Sequence, residues 1–146
     1  MTLYRKFGQG LAILCCLAMF VMAVALVISG GVSNVDEKSG DVIYFYERAN
    51  FQGAMFVALS FLISVVANFV AKDYPQIASV LSALPLAITF YEMAVENLHF
   101  VLAAVLLLLA LIHLVSNIIA WWDLMQWKNA HRPAVAEETP AEAKTK

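Results

Sequence analysis

The chain has 146 residues, of which 62% are hydrophobic and only 14% charged, with a mean hydropathy of +0.78. A water-soluble domain of this length cannot hide so much apolar surface, so lipid is the natural solvent. The net charge of −2, with basic residues that neither cluster nor interleave with exposed aromatics, excludes a nucleic-acid interface.

The first apolar run covers Gly8 to Ser29. Arg5 and Lys6, the stretch Leu11 to Met22 and then Ala23-Val24-Ala25 imitate a cleavable secretory signal. The apolar sequence continues through Leu26, Val27 and Ile28, however, and so reaches the roughly 20 residues that a helix needs to cross about 30 Å of hydrocarbon. A retained first helix is expected. Cys15 and Cys16 are adjacent and point in different directions on a helix, so they read as small apolar filler, with reversible palmitoylation as the alternative.

The segment 30–50 is the one sizeable outer loop. It carries Asp36, Glu37, Asp41 and Glu47 against Lys38 and Arg48, and its aromatic run Tyr44-Phe45-Tyr46 is expected to anchor at the headgroups. The second run, Phe51 to Ala71, places Ser60, Ser64 and Asn68 every four residues, hence on one face. The link Lys72 to Gln76 is so short that the second and third helices must be antiparallel neighbours, and Pro75 suits the first turn of the third helix.

The third run, Ile77 to Glu96, brings Ser82, Thr89 and Glu96 into one stripe, with Ser79 near its start and Glu92 and His99 beside the stripe at its end. Pro85 removes a backbone hydrogen bond in mid-span and predicts a kink, with Ser82 available to satisfy a freed carbonyl. A tight turn around Asn97 to His99 leads into the fourth run, Phe100 to Trp122, where His113, Ser116 and Asn117 form a patch. Trp121, Trp122 and Trp127 mark the inner interface. Residues 133–146 are poor in apolar side chains, and a disordered cytoplasmic tail is expected.

Backbone groups in hydrocarbon must bond within their own segment, so each run is a helix. The expected fold is all-α: residues 1–132 form a single polytopic membrane domain of four transmembrane helices in an antiparallel bundle. Arg5, Lys6, Lys72, Lys128 and Arg132 fall on one side and Lys38 and Arg48 on the other. The positive-inside rule therefore puts both termini in the cytoplasm of a plasma membrane, such as a bacterial inner membrane.

Polar residues inside spans are the informative ones, because they are costly in hydrocarbon and usually face protein. Ser60, Ser64, Asn68, Ser79, Ser82, His113 and Asn117 are expected to form a hydrogen-bonded seam between helices, each bond contributing about 0.6 kcal/mol. His113, the one histidine deep in a span, is the candidate cofactor residue, for haem or chlorophyll. Ala110-Leu111-Ile112-His113-Leu114, followed by Trp121 and Trp122, resembles over this single helix the pigment-binding helix of bacterial light-harvesting polypeptides. A haem held by two histidines would need its second ligand from another chain, since no other span carries a facing histidine.

Glu92, Glu96 and His99 are the candidate metal ligands. Glu96-Asn97-Leu98-His99 has the Glu-x-x-His spacing of di-metal carboxylate bundles, and a single site would need Asp41 or Glu47 to complete it; the simpler expectation is a wet interfacial cluster with Arg48 as partner. No nucleophile set, phosphate-cradling glycine loop or paired-cysteine motif appears in the sequence. The expected function is thus a non-enzymatic structural or accessory subunit, partnered by lipid and by other membrane subunits or copies of itself. A small oligomeric ion or proton transporter and a pigment-binding subunit are the alternatives.

Overall fold

A computed structural model describes residues 3–133 of the chain. The expectation for the tail after Arg132 lies almost wholly outside the described residues. The elements are α1 (Leu3–Gly30), β1 (Ser33–Val35), β2 (Val42–Tyr44), a 3-10 turn (Phe45–Glu47), α2 (Ala49–Val70), α3 (Pro75–Leu81), α4 (Leu84–Ala94) and α5 (Phe100–Ala130). Four helical spans, α1, α2, α3 with α4, and α5, are long and apolar enough to cross a membrane.

The third span is interrupted near the expected kink. Ser82 and Ala83 separate α3 from α4, and Pro85 lies in the first turn of α4, where its missing N–H costs little. Ala83 N–H bonds Val80 O instead of Ser79 O, and the Ser82 hydroxyl donates to the released Ser79 carbonyl at 2.6 Å. α5 runs eight residues beyond the expected Trp122, through Asp123 and Lys128. A helix that has already paired its backbone can leave the apolar layer without ending there.

The segment between α1 and α2 is not a plain loop. β1 and β2 pair antiparallel with Asn34 opposite Ile43, and Asp36 accepts from Lys38 N at 2.9 Å and Ser39 Oγ at 3.1 Å to close the turn. Gly40, at φ +74°, supplies the left-handed residue that the turn requires. Tyr44 and Tyr46 stack with centroids 5.5 Å apart, and Phe45 meets Phe51 at the start of α2 edge-on.

Small residues let the helices approach. α1 buries Gly8, Ala12, Cys15, Met19 and Ala23 along one stripe, and α5 buries Ala103, Leu106, Ala110, His113, Asn117 and Ala120 in alternating steps of three and four, the spacing of a coiled-coil seam. α1 packs against α2 and α5, and the broken third span packs against the same two helices. A Cβ on Gly8 would come within 2.8 Å of Ser116 Cβ, and one on Gly53 within 2.9 Å of Asn97 O, so both positions are closed to larger side chains. The core centres on Phe61, Met19 and Val57, while Leu17, Phe20, Phe56, Leu108 and many other large apolar side chains are exposed around the outside.

Two arginines tie α1 to α2. Arg5, near the start of α1, donates to Asn68 O at 3.0 Å and to Lys72 O at 3.5 Å, at the C-terminal end of α2. Arg48, just before α2, donates to Gly30 O at 2.7 Å and Gly31 O at 2.9 Å, at the C-terminal end of α1. Each helix thus lends a cation to the carbonyls left unpaired at the other's negative end. The expected role of Arg48, as partner to Glu92 and Glu96, is corrected accordingly: its guanidinium belongs to the end of α1.

Candidate functional site

Every member of the expected polar seam is buried: Ser60, Ser64 and Asn68 on α2, Ser79 and Ser82 in the third span, His113 and Asn117 on α5. Their partners sort them into two kinds. Ser60 Oγ donates to Val57 O and Ser82 Oγ to Ser79 O, so these two hydroxyls are satisfied within their own helical segments. Ser64, Asn68, Ser79 and His113 reach across helices, and Asn117 does so through its backbone carbonyl.

His113 is the centre of the cross-helix set and has 0% relative exposure. Its Nδ1 lies 2.8 Å from Gly8 O on α1 and its Nε2 lies 2.6 Å from Ser64 Oγ on α2. A carbonyl only accepts, so Nδ1 carries the proton; Nε2 of the neutral ring then accepts from the Ser64 hydroxyl. One imidazole joins three helices, and a haem iron or chlorin magnesium would have to displace Ser64 or Gly8 to reach it. Asn117 donates to His113 O at 3.1 Å, and its own carbonyl accepts from Ser79 Oγ at 3.3 Å, which brings the third span into the set.

The first helix enters this network as well. Arg5, only 8% exposed, donates Nε to Asn68 Oδ1 at 3.1 Å, and Asn68 Nδ2 donates to Ser64 O at 3.1 Å. The sequence places Arg5 outside the first span as a topology signal; its role in the seam comes from a contact 63 residues away.

Beside this network, at the end of the helices that holds Arg5, lies a cavity of about 490 Å³. Arg5, Lys72, Asn68, Asn117 and Trp121 give it a donor-rich side, with Asp73 also on its wall, and Phe69, Ala78, Ala120 and Leu124 give it an apolar one. The Trp121 Nε1 hydrogen is buried without an acceptor among the described residues. Buried donors without acceptors are uncommon enough to require an explanation.

The far end of the third span is arranged differently from the expected metal site. Glu92 is 3% exposed and accepts from Asn97 Nδ2 at 2.7 Å; Glu96 is exposed and sits at φ 61°; His99 caps α5, its Nδ1 accepting from Val101 N at 3.3 Å. Among the described residues no three of His, Cys, Asp and Glu converge as a metal would require. Glu47, one of the two loop carboxylates that would complete the site, instead accepts from Tyr44 N at 2.9 Å. Thr89, one turn before Glu92, has a fully buried hydroxyl without a partner among the described residues. Cys15 is buried and Cys16 partly so, and both are free thiols.

No family model, curated protein or solved structure matches this chain.

Proposed function

We propose that the protein is a non-enzymatic integral membrane component, a structural or accessory subunit of a larger membrane complex or homo-oligomer. In this reading the four spans form an antiparallel bundle in a plasma membrane of the bacterial inner type, with both termini in the cytoplasm. The observation that carries it is the direction of the polar groups. Ser64, Asn68, Ser79, His113 and Asn117 turn inward and use one another as partners, and the perimeter left to the surroundings is apolar. Such a unit holds its shape in lipid and offers its faces to lipid tails and to neighbouring spans. The gathering of Arg5, Lys6, Lys72 and Lys128 toward one end supports the orientation.

The test is purification of the tagged full chain from its own membrane in mild detergent, with the particle mass measured by light scattering and companions identified by mass spectrometry. A stoichiometric second subunit or a defined oligomer is expected. A partner-free monomer overturns the reading, and a visible spectrum of the same sample reports directly on pigment at His113.

One observation favours the transporter alternative. Glu92 is buried with a single amide donor, one turn from the unpartnered Thr89 hydroxyl, an arrangement suited to holding a proton or small cation in passage. Charge movement in liposomes that is lost in Glu92→Gln would establish that reading over the first.

A further inference from the structure

We propose that the cavity between Arg5, Lys72 and Trp121 binds the phosphate of an anionic phospholipid headgroup. Three residues with N–H donors, Arg5, Lys72 and Trp121, surround one space. The Arg5 guanidinium has five N–H groups, and its bonds to Asn68 Oδ1, Asn68 O and Lys72 O use three of them, all with neutral acceptors. Lys72 contributes only its carbonyl to those bonds, and it too lines the cavity. Trp121 lines the same cavity, and its buried indole N–H has no acceptor among the described residues. Two cations against the single Asp73 leave the wall with a positive balance, and a buried guanidinium surrounded by neutral acceptors is completed by an anion.

The volume and the surroundings identify which anion. About 490 Å³ accommodates a glycerophosphate headgroup but not acyl chains. The apolar wall formed by Phe69, Ala78 and Leu124 continues onto the exposed faces of Phe69, Ile77 and Val80, where tails would lie. Basic pockets between transmembrane helices at the cytoplasmic level are suited to anionic headgroups, which Lys72 would attract and Arg5 and Trp121 would bind at close range. A soluble phosphate gains nothing from that apolar wall.

The full-length protein, in detergent, is mixed with phosphatidylglycerol or phosphatidylcholine of matched chains, and retained lipid is measured by native mass spectrometry. Phosphatidylglycerol is expected to be retained as one tight adduct, and phosphatidylcholine to be lost. Because Arg5 also caps α2, the diagnostic variants are Lys72→Gln and Trp121→Phe, each checked for wild-type helicity. Lys72→Gln is expected to weaken retention about fivefold, and Trp121→Phe about tenfold, through loss of a hydrogen bond to a charged acceptor. Equal retention of the two lipids, or wild-type retention in both variants, overturns the proposal. So does displacement of the lipid by millimolar inorganic phosphate with equal thermal stabilisation, which would make the ligand a soluble anion.

Discussion

Replacing His113 with alanine removes an imidazole that touches α1 through Gly8 O at 2.8 Å and α2 through Ser64 Oγ at 2.6 Å. Interhelical hydrogen bonds within membranes average about 0.6 kcal/mol each and reach about 1.7, so the two bonds together contribute about 1 to 3 kcal/mol. The side chain is wholly buried, and the void left by its ring adds lost packing, for a total cost of about 2 to 4 kcal/mol. The packing and hydrogen-bond parts separate in a double-mutant cycle with Ser64→Ala, measured by reversible unfolding in mixed micelles. Ser64→Ala alone is expected to cost under about 1 kcal/mol, since Gly8 still holds the ring. The coupling between the two changes is expected at about 0.6 to 1.7 kcal/mol. Additivity within about 0.3 kcal/mol would show that the hydroxyl and the ring are neighbours without a bond, and would remove His113 from the centre of the network.

Gly8→Val is expected to push α1 from α5, because even a Cβ meets Ser116 Cβ at 2.8 Å, and to cost about 1 to 3 kcal/mol in the same unfolding assay; Gly10→Val, with nothing near its Cβ, is the control. Arg48→Ala should leave the end of α1 to fray, read as faster amide exchange over residues 27–31, with a stability loss of about 0.5 to 2 kcal/mol and no change at the Arg5 end. Pro85→Ala restores an N–H to the third span. Spin labels flanking the break at Ser82 and Ala83 should then report a longer, straighter span. Thiol labelling from outside intact cells is expected to modify Lys38→Cys and to spare Lys128→Cys, since the two fall on opposite sides of the proposed topology.

The spans were legible because a run of twenty apolar residues has one inexpensive environment, and Ser60, Ser64 and Asn68 could be put on one face because helical periodicity is strict. Pro85 announced an irregularity, although its form, a tightened turn at Ser82 and Ala83 with α4 resuming at Leu84, depends on Ala83 N–H bonding Val80 O and the Ser82 hydroxyl taking Ser79 O. The part played by α1 was hidden for a different reason. His113 bonds the backbone of Gly8, and a carbonyl is present at every position, so no residue type advertises the acceptor. Arg5 at the margin of a span carries a strong topological signal that masks a structural one. The β1–β2 hairpin is too short for a periodic pattern, and the ligand-like spacing of Glu92, Glu96 and His99 presumes a continuous helix, whereas α4 ends at Ala94 and Glu96 has a positive φ.

The paired arginine ties have a bearing on where movement can reside. Sliding α1 along α2 by one turn, about 5.4 Å, would pull Arg5 from Asn68 and Arg48 from Gly30 in the same stroke, so the hairpin cannot ratchet and must travel as one body. The third span is held differently, by the bond from Ser79 Oγ to Asn117 O on α5, and its two short segments meet at a junction of two residues. A pivot at Ser82 and Ala83 would leave both arginine ties intact, so α3 or α4 could shift without parting α1 from α2.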